Sequence, residues 1–330
     1  MRKIEELKNM IGNTPMLEVN FKYKNKQKKI FAKVEYYNLS GSVKDRMAYY
    51  VLKNAYDTGS IKENDTIVEA TSGNTGIAFC ALGAYLNHPV IIYMPDWMSE
   101  ERKRLISSYG AQIRNVSKEE GGFLGSIELA EKMAREENHV FLPRQFENPD
   151  NTTGQCLSLG KEIIENLDKI GLIPDGFVAG VGTGGTVMGV GRAIREVNPR
   201  AKIYPLEPLE SPTLSTGGKK VGSHRIAGIS DEFIPKLCKL NELNEIISVS
   251  DGDSILMAKK LAQAGLGVGI SSGANFIGAL MALEKGNETV VTVFPDDNKK
   301  YLSTDLMKDE PVKDSYLSKD VEILNFKVIK

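Results

Sequence analysis

Apolar runs of strand length recur along the chain, and most lead into stretches whose apolar residues return at helical spacing. The runs at 29–37 (KIFAKVEYY), 66–71 (TIVEAT), 90–95 (VIIYMP), 111–116 (AQIRNV), 176–182 (GFVAGVG), 202–207 (KIYPLE), 245–250 (EIISVS) and 289–295 (TVVTVFP) predict strands. Helical patterns follow in NTGIAFCALGAYL, SEERKRLISSYG, GGTVMGVGRAIREV and DSILMAKKLAQAG. In SVKDRMAYYVLKNAYDTG, Met47, Tyr50, Val51 and Ala55 recur at helical spacing. Strands this apolar lack a wet face, and their alternation with helices predicts parallel sheets covered by helices on both faces. The closing VEILNFKVIK alternates instead, as an edge strand does. Polar ENPDNTTGQ (147–155) reads as a connection between two lobes, and MKDEPVKDSYLSKD (307–320) as a mobile or surface segment.

Composition narrows the function classes. The 330-residue chain is 41% hydrophobic and 26% charged with a formal net charge of -1, which lacks the footprint of a nucleic-acid binder. No apolar run reaches a membrane span, and MRKIEELKNMIGNTPM shows no signal peptide, so a cytoplasmic protein is expected. Cys80, Cys156 and Cys238 are far apart and fit free thiols in a reducing compartment. His88, His139 and His224 have no metal-ligand spacing, which argues against a metal site and against a histidine-based hydrolase.

Candidate chemistry gathers where runs of apolar residues end. Lys44 stands at the start of a predicted helix, behind the candidate N-caps Ser40 and Ser42. A helix N-terminus disfavours a cation, and a lysine that readily loses its proton suits Schiff-base chemistry; the plainer reading is a solvated Lys-Asp-Arg run. In EATSGNTG (69–76), the hydroxyls of Thr71, Ser72 and Thr75, the amide of Asn74 and backbone N–H groups suit a carboxylate, where a cap alone would use one or two of them. AGVGTGGTVMGVGR (179–192) holds Gly180, Gly182 and Gly185 in Gly-x-Gly-x-x-Gly spacing, with Glu207 about twenty positions on, as a dinucleotide fingerprint has. Thr183 and Thr186 add hydroxyls that favour a phosphate monoester; close helix–sheet packing by glycine is the alternative. VGISSGAN (268–275) reads as a third strand end, whose Ser271 or Ser272 either caps a helix or faces a ring nitrogen. An activated lysine, a phosphate cradle, a carboxylate cradle and this hydroxyl together suit pyridoxal 5′-phosphate, which is aldehyde, phosphate monoester and heteroaromatic ring at once.

In order, and across nearly the whole chain, IGNTPM, SGSVKDR, EATSGNTGIA, MPDWMSEERKRLISSYGA, GVGTGGT, GISSGA and YLST resemble the cysteine synthase and cystathionine β-synthase family. The resemblance implies a two-lobed α/β fold of the tryptophan-synthase-β type. Its smaller mobile lobe would span 41–146, and its larger cofactor-binding lobe 1–40 and 147–330 with the C-terminal tail. It further implies pyridoxal 5′-phosphate as cofactor, small amino acids as substrates and a homodimer. By position, Lys44 would carry the Schiff base and act as base at Cα, and Asn74 would bond the ring oxygen. Gly182, Thr183, Gly184, Gly185 and Thr186 would hold the phosphate, and Ser271 would face the ring nitrogen. Thr71, Ser72, Asn74, Thr75 and Gln145 (in RQFENP) would hold the substrate carboxylate.

Two departures bear on the substrate. Sulfide-using members carry His-x-x-Thr-Thr-Gly-Pro-Glu-Ile after the Gln-Phe motif; here Thr152, Thr153 and Gly154 stand without the histidine and the proline. Where those members read Gly-Ile-Gly-Ala-Gly-Phe, this chain reads GISDEF, which puts Asp231 and Glu232 at the mouth of the site. The cystathionine synthases carry an aspartate at the position of Glu232. A carboxylate repels hydrosulfide but binds an ammonium or deprotonates a thiol or water; the alternative is that both are solvated loop charges. The expected reaction is β-replacement through an aminoacrylate, with cysteine as first substrate, hydrogen sulfide released, and an amino-thiol or water as nucleophile. That is lanthionine- or cystathionine-synthase-like, or cysteine hydroxyl lyase, chemistry; O-acetylserine sulfhydrylase is the alternative. At this length neither heme nor S-adenosylmethionine control is expected.

Overall fold

The computed structural model describes residues 3–71 and 73–329. In chain order its strands are β1 (Met16–Tyr23), β2 (Lys26–Val34), β3 (Thr66–Ala70), β4 (Val90–Pro95), β5 (Gln112–Val116), β6 (Val140–Phe141), β7 (Gly176–Gly180), β8 (Lys202–Pro208), β9 (Ile247–Val249), β10 (Val290–Phe294) and β11 (Val321–Ile329). The helices are α1 (Lys3–Leu7), α2 (Lys44–Thr58), α3 (Asn74–Leu86), α4 (Glu100–Ser108), α5 (Gly122–Glu136), α6 (Pro149–Gln155), α7 (Lys161–Asp168), α8 (Gly185–Val197), α9 (Asp251–Gln263) and α10 (Ile270–Glu284).

The strands form two sheets, one of order β5-β4-β3-β6 and one of order β11-β1-β2-β10-β7-β8-β9. Period-two alternation sends the side chains of each strand to the two faces of its sheet, and in inner strands such as β4, β7 and β10 both faces are dry. In the four-stranded sheet, Ile67 and Ile92 pack with α2 and α3, while Val68, Ala70 and Tyr93 pack with Ala130 and Met133 of α5. In the seven-stranded sheet, Val178 and Leu206 join α9 and α10, while Phe177, Ala179 and Ile203 join α7 and α8. Burial on both faces is why β4 and β10 carry no polar alternation.

Several expectations change. The larger sheet is mixed, because β1 pairs antiparallel with both β2 and β11. β1 escaped the sequence reading: Glu18, Asn20 and Lys22 alternate with buried Val19, Phe21 and Tyr23, so it has no continuous apolar run. Lys24 and Asn25 join β1 to β2 with φ of 48° and 62°, as a two-residue hairpin turn requires. Residues 35–37 turn into a short 3₁₀ helix instead of extending β2. ENPDNTTGQ is not an extended polar stretch but mostly a helix, α6. Asn148 caps α6 by accepting from Asp150 N, and α6 packs on α2 and α8. VGISSGAN contains no strand; Val268 makes an isolated bridge with Asp297 before α10 begins. Gly269 is the N-cap residue there, so neither Ser271 nor Ser272 caps that helix. Residues 307–320 do lie at the surface, mostly exposed, but are anchored through buried Tyr316 and an Arg225–Glu310 ion pair. The last strand does lie at a sheet edge, on β1. The three cysteines are free and buried. Among the described residues, no helix is long and apolar enough to cross a membrane.

Candidate active site

β3, β7 and β10 run parallel within their sheets, and their carboxyl ends open toward one cleft. Lys44, Thr71, Asn74, Thr75, Gln145, Gly182, Thr183, Gly184, Thr186, Asp231 and Ser271 all line it. Three sequence candidates do not. Gly185 begins α8 behind the lining, with Asn151 Oδ1 only 1.9 Å from where a Cβ would stand. Glu232 is exposed and is not among the residues that line the cleft. Ser72 lies outside the described residues.

α2 starts without a side-chain cap, at Val43; Ser40 and Ser42 act differently from N-caps. Ser42 Oγ accepts from Lys44 N at 3.2 Å, and Ser40 N and Ser42 N donate to the Asp45 carboxylate at 2.8 and 3.4 Å. Successive side chains on a helix are about 100° apart, so the Lys-Asp-Arg run fans out. Lys44 faces the cleft, Asp45 ties down the preceding loop, and Arg46 enters a buried cluster with Glu35 and Glu162. Burial lowers the pKa of Lys44; Asp296 and Asp231 pull it back up, and Lys300 pushes it further down. Asp231 is raised to about 7, chiefly by burial, with Lys44 opposing and Glu232 adding to the rise.

The loop from Thr71 to Thr75 is held from behind. Thr75 Oγ1 donates to Gln145 Oε1 at 2.7 Å, Gln145 Nε2 donates to Ala70 O at 2.7 Å, and Gln145 N donates to Glu69 Oε2 at 3.2 Å. Gly73 N donates to Thr71 Oγ1 at 3.1 Å. Asn74 is fixed on both sides of its amide. Its Nδ2 donates to Asp296 Oδ2 at 2.7 Å, and its Oδ1 accepts from Lys300 Nζ at 3.0 Å. Tyr301 Oη also donates to Asp296. Asn275 joins two strand ends, accepting from Gly180 N and donating to Val293 O, both at 2.8 Å. Sequence reasoning missed Asp296, Lys300 and Asn275. Asp296 and Lys300 stand in PDDNKK, between the 289–295 run and YLST, in a stretch that no motif marks.

The residues fit a phosphate monoester beside Lys44. α8 begins at Gly185, after Gly184 (φ 83°) as N-cap residue; Gly185 N donates to Thr183 Oγ1 at 3.3 Å, and the remaining N–H groups of a helix's first turn have no intrahelical partner and suit an anion. A Cβ on Gly182 would lie 2.5 Å from Gly228 O, which accounts for glycine at that close approach. Thr183 Oγ1 is oriented by Asn151 Nδ2 at 2.9 Å. The dinucleotide alternative fails at Glu207. This carboxylate is buried and accepts from Leu214 N at 2.7 Å and Ser248 Oγ at 3.1 Å, so it is committed to the fold.

Residues 7–296 match the family described as pyridoxal-phosphate dependent enzyme. The chain belongs to that family. Its cofactor is pyridoxal phosphate, and its fold is that of the cysteine synthase and cystathionine β-synthase group. The chain is 40% identical to cysteine synthase B of Campylobacter jejuni over 307 residues, 93% of this chain and 99% of that one. It is 60% identical to a hydrogen sulfide-producing enzyme of Fusobacterium nucleatum, with TM-score 0.96 over 99% of both chains. A further structure of that enzyme is an Asp-to-Asn variant holding an α-aminoacrylate intermediate. An O-acetylserine-dependent cystathionine β-synthase of Helicobacter pylori is 34% identical, with TM-score 0.82 over 90% of this chain and 97% of that one.

Proposed function

We propose that this enzyme takes cysteine as first substrate, expels its β-sulfur as hydrogen sulfide, and joins the remaining carbon skeleton to an amino-thiol, with water as the lesser nucleophile. The observation that carries the reading is Asp231, a carboxyl with a pKa of about 7 that shares the cleft with Lys44. The 60% identity to a hydrogen sulfide-producing enzyme supports the first half of the reaction.

Bound pyridoxal phosphate supplies the carbonyl that captures the substrate amine and the electron sink that acidifies its α-proton. In this reading the chain does the rest. Thr71, Thr75 and Gln145 hold the substrate carboxylate, and Asn74, locked by Asp296 and Lys300, presents its remaining N–H to the ring oxygen. The first turn of α8 holds the phosphate through Gly182–Thr186, and Ser271 offers a neutral hydroxyl to the ring nitrogen. Lys44, whose ammonium form is disfavoured by burial, removes the α-proton as general base. A thiol ordinarily titrates near pH ~8.5, within about two units of Asp231, so proton transfer from the incoming thiol to that carboxylate is well matched. Hydrosulfide, an anion, gains nothing from it. Residues 41–146 form the smaller, moving lobe in this reading, and the working enzyme is a homodimer.

The identity to cysteine synthase B favours a second reading, cysteine synthesis from O-acetylserine and sulfide. Amino-acid analysis of the purified holoenzyme separates the two. Incubation with L-cysteine alone is expected to release hydrogen sulfide and to yield lanthionine, with some serine. Inert cysteine, alongside rapid cysteine formation from O-acetylserine plus sulfide, would establish the second reading instead.

A further inference from the structure

Ser230, the residue before Asp231, has φ of 55°, in the left-handed region that non-glycine residues rarely occupy. Such strain persists only where the surroundings over-determine it. Here they do. Ser230 N donates to Val181 O at 2.8 Å. Ser230 Oγ donates to Ser211 O at 3.1 Å and lies 3.3 Å from the hydroxyls of both Ser211 and Thr213, which are fully buried. Ser230 O accepts from His224 Nε2 at 3.2 Å. The other ring nitrogen, His224 Nδ1, accepts from Ile226 N at 3.2 Å, so the two bonds require the neutral Nε2–H tautomer. Burial holds His224 neutral by lowering its pKa, against the pull of Ser230 O, Asp251 and Glu210. The next residue, Arg225, is clamped by Asp251 at 2.6 Å and by Glu310 at 3.0 Å.

This arrangement opposes a specific force. A carboxylate held away from water is destabilised, so a relaxed loop would turn both Asp231 and Glu232 outward. Instead Asp231 lines the cleft while its neighbour Glu232 is exposed. We propose that Ser230, together with His224, Ser211 and Thr213, forms a positioning cage that fixes the backbone at Ser230 and thereby holds Asp231 inside the cleft as the nucleophile's proton acceptor. The inference rests on the reading of Asp231 given above. The charged groups facing Asp231 are Lys44, which favours its ionised form, and Glu232, which disfavours it.

The test separates the two stages of turnover in the holoenzyme: sulfide release from cysteine, and consumption of a second cysteine, each followed between pH 5.5 and 9 (~ two units about neutrality). Ser230→Gly frees the backbone and removes the hydroxyl; His224→Ala removes the donor to Ser230 O; His224→Gln restores a donor. Ser230→Gly and His224→Ala are expected to slow the second stage roughly tenfold at neutral pH, with the first stage within about twofold of wild type. The pH midpoint of the second stage should move from about 7 toward the ordinary carboxylate range as Asp231 gains water, and His224→Gln should recover most of both changes. Equal slowing of both stages, or an unmoved midpoint with a wild-type second stage, overturns the cage. Asp231→Asn, measured alongside, distinguishes the levels. If it is slow while the cage variants are normal, the cage fails and the function stands; if it is fast, the reading of Asp231 fails and the cage with it.

Discussion

At the residue scale the cleft is an exercise in disfavoured charge. Lys44 and Asp231 would pair readily in water, but burial weakens the charged form of each and leaves both available for proton transfer. Replacing Lys44 with alanine removes the group assigned both to cofactor attachment and to the α-proton, so turnover should fall by at least ~10²–10⁴-fold, measured as sulfide release from cysteine. The pH dependence has a definite sign. Asp231 accepts a proton only when ionised, so the rate of nucleophile addition should rise as pH passes through about 7 and level off above it. A rate that falls through that range, in a titration of the second stage, would contradict this role. Lys44 and the Thr71–Gly76 loop were legible in the sequence because each acts within a few residues of its own backbone. Asp296 and Lys300 were not, because they act on Asn74 across 222 and 226 positions. Glu232 is the reverse case. Sequence puts it beside Asp231, but the backbone turn at Ser230 sends the two carboxylates to different environments, and only the fold reveals that turn.

At the scale of elements, legibility followed burial. β4 was read to the residue because both of its faces are dry and its run is unbroken. β1 was lost because one of its faces carries Glu18, Asn20 and Lys22. The same strand explains why the larger sheet is mixed. Its outer edge would otherwise be unpaired, and the tail supplies β11 to cover it, from Met16↔Ile329 to Tyr23↔Val321. β11 contributes little to the core, since most of it is exposed beyond Val321. Ending the chain at Asp320 should therefore leave the cleft chemistry intact but expose the β1 edge. The expected result is a Tm lowered by roughly 5 °C and a tendency to associate through that edge, read by calorimetry and light scattering. An unchanged Tm would assign β11 no part in the stability of the isolated chain.

At the scale of the whole molecule, one buried charge cluster joins the helix that bears Lys44 to the larger sheet. Arg46, two residues along α2 from Lys44, projects to the opposite side of the helix. Its Nε donates to Glu35 Oε2 at 2.6 Å, and its two terminal nitrogens donate to the Glu162 carboxylate at 2.6 and 2.8 Å; Lys33 Nζ adds a bond to Glu162 at 2.8 Å. Arg46 and Glu35 have no side-chain exposure, so each depends on its partners for compensation. Burial acts to raise the pKa of Glu162, but Arg46 and Lys33 overcome it and hold the carboxyl at about 2, below its ordinary 4.5. A depressed carboxyl contributes stability above its unfolded-state pKa and loses that contribution as pH falls toward the folded value. Glu162→Gln keeps the shape and removes the charge, which leaves buried Arg46 short of an anion, a change that costs about 3–5 kcal/mol. In urea unfolding, the gap between wild type and variant should be largest at neutral pH and should shrink between pH 4.5 and about 2, where the wild-type carboxyl becomes protonated. Because α2 carries both residues, the variant should also lose turnover at pH values where it remains folded, as Lys44 shifts in the cleft. A gap that stays constant down to pH 2 would mean that the Glu162 charge does not hold the helix in place.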